Sequence, residues 1–215
     1  MANNKALTAE EQSKLTPAKV IEILKQGNKE FIENKLTVKN SIERMIDAAK
    51  GQHPQAIILS CIDSRVPVED IFHCNIGDIF VARVAGNIAN PDILGSMEYA
   101  CKLSGSKLVV VMGHSHCGSI KSAINNVEIG NITGLLSKIK PAINQSKENF
   151  KGEKTSSNPE FVETVCRANV ELTMNNIRQN SPILKEMEDK EKIMIVGAIY
   201  DIANGKLEFF ENMQC

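Results

Sequence analysis

Short apolar runs that alternate with helical patterns constrain the fold of this chain more than any other feature. From residue 56 onward, runs rich in Val, Ile and Leu predict buried strands at 56–60, 79–84, 108–112 and 193–199. Helical patterns lie between them, at about 92–104, 118–126, 134–147 and 160–179. This alternation predicts an α/β fold in which helices pack on a mostly parallel central sheet.

The two ends of the chain complete this prediction. Asn204 and Gly205 form a strong hairpin signal, so a fifth strand is expected at 207–211, antiparallel and at the edge of the sheet. Thr16 and Pro17 predict a helix start, and a further helix is expected at 41–49. We therefore expect one domain, with an N-terminal helical arm at 1–50 and an α/β core at 51–215.

Composition excludes several classes of protein. The formal net charge is −1 and no basic block is present, which argues against a nucleic-acid partner. No apolar run approaches the ~18 residues that a membrane-spanning helix needs. No secretory signal follows Met1, so we expect a cytoplasmic protein, or a periplasmic one if a signal peptide has been removed.

Six cysteines are present without the dense spacing of a disulfide scaffold, which favours a reducing compartment. Cys74, Cys101 and Cys166 lie in apolar or helical surroundings and are predicted to be buried free thiols. Cys215 is the last residue and is expected to be mobile.

The remaining two cysteines belong to clusters of metal-ligand residues that follow two predicted strands. Cys61 comes directly after the run at 56–60, and His114 and Cys117 come after the run at 108–112. Ligand sites in open α/β sheets form at the carboxyl ends of strands, so the three side chains should meet there. Two thiolates and one imidazole leave a fourth position open, as a catalytic zinc requires. Cys117 also opens a predicted helix, where the helix dipole favours the thiolate. We expect one Zn²⁺ per chain.

These clusters resemble the β-class carbonic anhydrases, whose pattern is C-x-D-S-R followed by G-H-x-x-C-G. The chain has the first motif at 61–65 and the second at 113–118, and the stretches 78–87, 95–100 and 197–201 are also similar to that family. The resemblance extends from about Thr16 to about Glu211. It implies reversible hydration of carbon dioxide to bicarbonate and a proton by a zinc-bound hydroxide, with Cys61, His114 and Cys117 as the metal ligands.

The resemblance also implies roles for residues around the metal. Asp63 would accept a hydrogen bond from the zinc-bound water while Arg65 holds its carboxylate in bidentate fashion. If that pair broke, Asp63 could bind zinc and close the site. Their spacing from the zinc motifs matches Gln52, Phe80 and Tyr99 to the substrate pocket of the plant-like branch. Gly118 is assigned to substrate binding together with them.

Two further properties follow from the resemblance. The other branch of the family places a tryptophan near an inhibitory bicarbonate site, and this chain has no Trp, so an open site without that inhibition is expected. The family's basic unit is a homodimer in which the N-terminal helices embrace the partner and pocket residues are shared, and dimers often pair into tetramers. The helical arm of this chain would equally suit a monomer.

Charge donation by two thiolates should leave a bound water less acidic than in a His₃ site, where its pKa is about 7. We therefore predict an activity that rises into the alkaline range. Two other functions stay open: hydrolysis of carbonyl sulfide or carbon disulfide on the same fold, and a non-catalytic zinc sensor with Asp63 as the fourth ligand.

Three neighbouring residues invite simpler interpretations. His116 lies between two ligands, and we expect it to face outward or to pack against neighbours and not to bind metal, with a proton-shuttling role as the alternative. Arg83 is expected to anchor a loop. Gly86 and Asn87 are expected to form a turn that requires positive φ.

Overall fold

The predicted strands form one five-stranded sheet. The computed structural model describes residues 5–37 and 42–210. Its strands are β1 (Ala56–Ser60), β2 (Ile79–Arg83), β3 (Leu108–His114), β4 (Met194–Tyr200) and β5 (Leu207–Phe209). They lie in the order β2-β1-β3-β4-β5; the first four are parallel and β5 is antiparallel to β4. The α/β prediction with an antiparallel edge strand is confirmed, although Glu211 lies outside the described residues.

Ten α-helices surround the sheet in the described part of the chain. They are α1 (Ala9–Ser13), α2 (Pro17–Ile32), α3 (Ile42–Ala48), α4 (Val68–Ile71), α5 (Pro91–Glu98), α6 (Gly118–Ile124), α7 (Gly130–Ser137), α8 (Lys140–Asn149), α9 (Pro159–Asn180) and α10 (Pro182–Asp189). The Thr16 side chain caps α2 by accepting the Lys19 N–H at 3.2 Å, as the sequence predicts. A π-helical turn over Tyr99–Leu103 extends α5.

Proline explains where the helix predictions were wrong. The helix expected at 134–147 is two helices, because Pro141 lacks an N–H and fits only the first turn of a helix, which here is the start of α8. Pro182 likewise begins α10, a helix that the sequence pattern had not indicated. Ser181 ends α9 and its hydroxyl accepts the Leu184 N–H at 3.2 Å, so one residue separates the two helices.

Alternate residues of the central strands supply the two faces of the core. Ile57 and Leu59 of β1 pack with α5, α6, α9 and α10 on one face, whereas Ala56 and Ile58 pack with α2 and α4 on the other. All five β1 residues are buried, as expected for a parallel strand covered on both sides. Within the described ranges, no helix is both long and apolar enough to cross a bilayer.

Strand order determines where a ligand site can form. The chain leaves β1 toward β2 on one side, and it leaves β3 toward β4 on the other. Because β1 and β3 are neighbours, these connections part at their carboxyl ends, which is where ligand sites form in open α/β sheets.

Candidate metal centre

The two ligand clusters meet at the carboxyl ends of β1 and β3. Cys61 directly follows β1, His114 is the last residue of β3, and Cys117 is the N-cap residue of α6. The predicted strand stopped at residue 112 because the two following residues are not aliphatic, yet both pair with β4. Two sulfur atoms and an imidazole nitrogen lie within 4.8 Å of one another, and all three residues are buried.

One nitrogen of His114 is free to bind a cation. Nδ1 lies 2.9 Å from the Ser115 carbonyl oxygen, to which it donates, so the neutral ring carries its lone pair on Nε2. Nε2 is buried and has no hydrogen-bond partner among the described residues. A buried acceptor without a partner costs free energy, and a metal ion at this position would satisfy it.

The two thiols form a pair that a cation would complete. Their Sγ atoms are 4.0 Å apart. The hydrogen bond with Cys117 lowers the pKa of Cys61, and the same contact raises the pKa of Cys117 above its usual range. The start of α6 acts on the pKa of Cys117 in the expected direction, through the Ile120 N–H, but more weakly than Cys61 does. A divalent cation would replace the proton that the pair retains, since thiolates bind metal. Two thiolates and one imidazole are a donor set that suits Zn²⁺.

The Asp63 carboxylate lies beside this group and is held by Arg65. Arg65 Nε donates to Oδ1 at 2.9 Å and Nη2 to Oδ2 at 2.7 Å, while the Arg65 backbone N–H donates to Oδ1 at 3.0 Å. These bonds hold the pKa of Asp63 well below its usual range. Asp63 Oδ2 is 3.9 Å from His114 Nε2, so the carboxylate borders the ligand group while it stays bound to arginine.

Backbone contacts fix the loop that carries Cys61. Arg83 Nε donates to the Cys61 carbonyl at 3.0 Å, and Nη2 donates to the Asp63 carbonyl at 2.7 Å, which confirms that Arg83 anchors a loop. The Gly86 N–H donates to Cys61 Sγ at 3.4 Å. Gly86 and Asn87 have φ of 70° and 41°, as the turn prediction required.

Phe80 and Tyr99 lie together, away from the metal ligands of their own chain. Their ring centroids are 6.3 Å apart and the ring planes meet at 72°, an edge-to-face contact. Phe80 of β2 pairs with Ile57 of β1, four residues before Cys61, which corresponds to about 13 Å along the strand. Tyr99 is half exposed.

The remaining pocket residue is also distant from the ligands. Gln52 is exposed and precedes β1, whereas Cys61 follows the opposite end of that strand. Gly118 begins α6 next to Cys117, and a Cβ at Gly118 would meet no atom within 4 Å. The structure therefore brings Gly118, and not Gln52, to the ligands of its own chain.

His116 is exposed and is not part of the ligand group. Its φ of 55° is in the left-handed region, which few residues other than glycine adopt. This conformation presents the His116 carbonyl to Arg65 Nη2 at 3.3 Å.

Two side chains of α9 contact the backbone of the site. The Cys166 thiol donates to the His114 carbonyl at 3.3 Å, and Asn169 Nδ2 donates to the Gly86 carbonyl at 2.9 Å. Sequence reasoning treated Cys166 as a buried thiol and gave Asn169 no role. An asparagine between the apolar residues Val165 and Val170 is the signal that could have indicated one.

The other thiol predictions hold where the chain is described. Cys74, Cys101 and Cys166 are buried, and none of them forms a disulfide with another described residue. Burial raises the pKa of Cys101 and of Cys166 to about 12, so both stay protonated near neutral pH. Cys215 lies outside the described residues.

Comparison with known proteins gives one consistent result. A family model described as carbonic anhydrase matches residues 56–207. The chain is 29% identical over 196 residues to carbonic anhydrase 2 of Mycobacterium tuberculosis, covering 88% of this chain and 91% of that one. A tetrameric β-carbonic anhydrase of Sordaria macrospora superposes with a TM-score of 0.69 at 27% identity, over 80% of this chain and 86% of that one. A β-carbonic anhydrase of Aspergillus fumigatus superposes with a TM-score of 0.71 at 25% identity, over 90% and 89%.

Proposed function

Because the chain belongs to the β-class carbonic anhydrase family, we propose that it hydrates carbon dioxide reversibly to bicarbonate and a proton at a zinc ion bound by Cys61, His114 and Cys117. The observation that carries this proposal is His114 Nε2, which is buried beside two thiol sulfurs and has no hydrogen-bond partner in the described part of the chain. The Asp63–Arg65 pair borders the same group, as a hydration site requires and a purely structural metal site does not.

The metal ion and the protein side chains would make different contributions to the reaction. Zinc supplies Lewis acidity, which lowers the pKa of a coordinated water. Cys61 and Cys117 contribute two negative charges, so the metal acidifies that water less than three neutral imidazoles would allow. Hydrogen bonds from the Gly86 N–H to Cys61 and from His114 Nδ1 to the Ser115 carbonyl orient two of the ligands.

Asp63 would act as the hydrogen-bond acceptor that orients the reacting water. With its pKa lowered by Arg65, the carboxylate is ionised throughout the neutral range and can only accept hydrogen bonds. The three bonds from Arg65 would restrain it from moving toward a metal held by the three ligands. We therefore propose the open form of the site, in which the fourth ligand position stays available to water and substrate.

A second copy of the chain would supply the substrate pocket. Phe80 and Tyr99 form a partly exposed aromatic pair distant from Cys61 of their own chain. Gln52 is also exposed and precedes β1, whereas Cys61 follows that strand. In a homodimer, or a dimer of dimers, these side chains would cover the partner's metal centre. The aromatic rings would keep that pocket apolar for carbon dioxide, and the glutamine amide would hydrogen-bond a bicarbonate oxygen.

Comparison of three substrates tests the reaction. Zinc-loaded protein is assayed for hydration of carbon dioxide and for hydrolysis of carbonyl sulfide and of carbon disulfide, with Asp63→Asn as the matched variant. We expect carbon dioxide to be turned over fastest and the variant to lose most of that activity. Faster turnover of either sulfur compound would replace the proposal with a hydrolase. No turnover of any substrate would favour a zinc sensor.

A further inference from the structure

Asn169 is a buried polar residue that links helix α9 to the loop behind Cys61. Its side chain is 1% exposed, and Nδ2 donates to the Gly86 carbonyl at 2.9 Å. Its other polar atom, Oδ1, has no hydrogen-bond partner in the described part of the chain. A buried amide that is only half satisfied costs stability, so packing alone does not account for an asparagine here.

The loop that Asn169 holds is closely packed at Gly86. Gly86 has a φ of 70°, and a Cβ on it would approach Ile139 Cδ1 to 2.8 Å. In this conformation the Gly86 carbonyl accepts the Asn169 amide while the Gly86 N–H donates to Cys61 Sγ at 3.4 Å. The two hydrogen bonds of one residue therefore connect the helix to the sulfur.

We propose that Asn169 is a positioning residue for the metal centre, which acts by holding Gly86 so that its N–H stays directed at the Cys61 sulfur. This inference rests on the proposed metal site. A hydrogen bond to a ligating thiolate withdraws electron density from sulfur and orients its lone pairs. Loss of the Asn169 bond frees Gly86, weakens the N–H···S contact and leaves the thiolate more electron-rich and less well oriented.

Two variants separate this role from general stability. Asn169→Leu keeps the approximate side-chain volume and removes the donor. Asn28→Leu makes the same change at another buried asparagine, whose Nδ2 donates to the carbonyls of Ile71 and Gly205. Asn28 belongs to α2, on the opposite face of the sheet from α9, so its loss destabilises the fold without reaching Cys61.

The experiment measures metal binding and not turnover. Zinc affinity is determined by competition with a chromophoric chelator, and the thiolate-to-metal charge-transfer band is recorded on cobalt-substituted protein. For Asn169→Leu we expect a zinc dissociation constant raised about tenfold and a charge-transfer band moved to longer wavelength. Asn28→Leu should change neither, whatever its effect on the unfolding midpoint.

Other results would overturn either this inference or the proposed function. A wild-type affinity and spectrum in Asn169→Leu would overturn the inference, and so would equal changes in both variants. Failure of the wild-type chain to bind zinc or cobalt would instead overturn the proposed function. If Asn169→Leu does not fold, Asn169→Asp keeps the shape of the side chain and replaces the donor, and the same two readouts apply to it.

Discussion

At the scale of single residues, Arg65 determines where the Asp63 carboxylate lies. Arg65→Ala removes both guanidinium bonds to a carboxylate whose Oδ2 is 3.9 Å from His114 Nε2, and keeps the backbone N–H bond from residue 65. Asp63 is then free to bind the metal and occupy the open position. We expect kcat/KM for carbon dioxide to fall about 10- to 100-fold with zinc content unchanged, measured by stopped-flow hydration and metal analysis.

Arg65→Lys is the matched control for that prediction. Lysine keeps the positive charge but lacks the planar fork, so it holds one carboxylate oxygen in place of two. Its activity should lie between those of the wild type and of Arg65→Ala. Full activity in Arg65→Ala would show that Asp63 needs no partner to stay off the metal.

His116 is the second residue whose environment yields a prediction. Its left-handed φ of 55° costs about 1–2 kcal/mol for a residue with a Cβ, and glycine adopts this φ without that cost. His116→Gly should therefore unfold at the same urea concentration as the wild type or at a higher one. Because the side chain is exposed, kcat should also be kept at both low and high buffer concentration. A loss of kcat confined to low buffer would identify His116 as a proton shuttle.

At the scale of secondary-structure elements, the close approach of α9 to β3 depends on Gly113. A Cβ at this position would lie 2.8 Å from Val170 Cγ2 and 2.9 Å from Cys166 Sγ, well inside normal contact distance. Gly113→Ala should lower the free energy of unfolding by about 1–3 kcal/mol, because α9 would have to move away from the strand that ends in His114. Urea denaturation measures this difference.

Gly134 provides the control for that substitution. It lies within α7, and a Cβ there would meet nothing within 4 Å. Alanine is favoured over glycine in a helix by up to about 1 kcal/mol, so Gly134→Ala should stabilise the protein. If the two substitutions have the same effect, packing at Gly113 does not govern stability.

The elements also show how much of the fold the sequence can predict. β2 is only half buried where the sequence predicted a buried strand, because it lies at the edge of the sheet. The central strands β1 and β3 carry aliphatic runs, so their positions and the parallel sheet are readable from the sequence. The end of β3 is not, because Gly113 and His114 pair with β4 through backbone groups that any residue possesses. Helix α10 has only two turns, too few for a periodic pattern to emerge, although Ser181 and Pro182 mark its start.

The candidate site also has a part that the sequence predicts and a part that it does not. Two short sequence motifs contain the residues of the metal centre, and the order of the strands in the sheet brings these motifs together. The residues are Cys61, Asp63, Arg65, His114 and Cys117. The contact between Asn169 and Gly86 joins residues far apart in the chain, so no local pattern reports it. The sequence spacing between Tyr99 and the zinc motifs also does not indicate whether Tyr99 lies in the pocket of its own chain or in that of a partner chain.

At the scale of the whole molecule, a pocket shared between two chains predicts complementation. Asp63→Asn disables the metal centre, and Tyr99→Ala disables the pocket that the chain would offer its partner. In a mixed dimer, one site would combine the intact Asp63 with the intact Tyr99. Random mixing after dissociation and reassociation should therefore restore about a quarter of wild-type activity, since half of the dimers are mixed and each has one good site.

Stopped-flow assays of the variants before and after mixing test this prediction, and the double variant Asp63→Asn, Tyr99→Ala mixed with either single variant is the control. Mixing the double variant with either single variant restores no site, because no dimer then combines an intact Asp63 with an intact Tyr99 of the partner. If the two single variants regain nothing on mixing, although dimers exchange chains, then the pocket belongs to the same chain as the metal.

The measurement that tests the central claim most directly is the pH dependence of carbon dioxide hydration, followed by stopped flow on protein that contains one zinc ion per chain. Two thiolate ligands make the coordinated water a weak acid, so the rate should be low in slightly acid solution and climb through the alkaline range. A rate that is already flat from slightly acid pH upward would contradict the two-thiolate account. Negligible hydration at every pH with zinc bound would contradict the assignment of an open catalytic site.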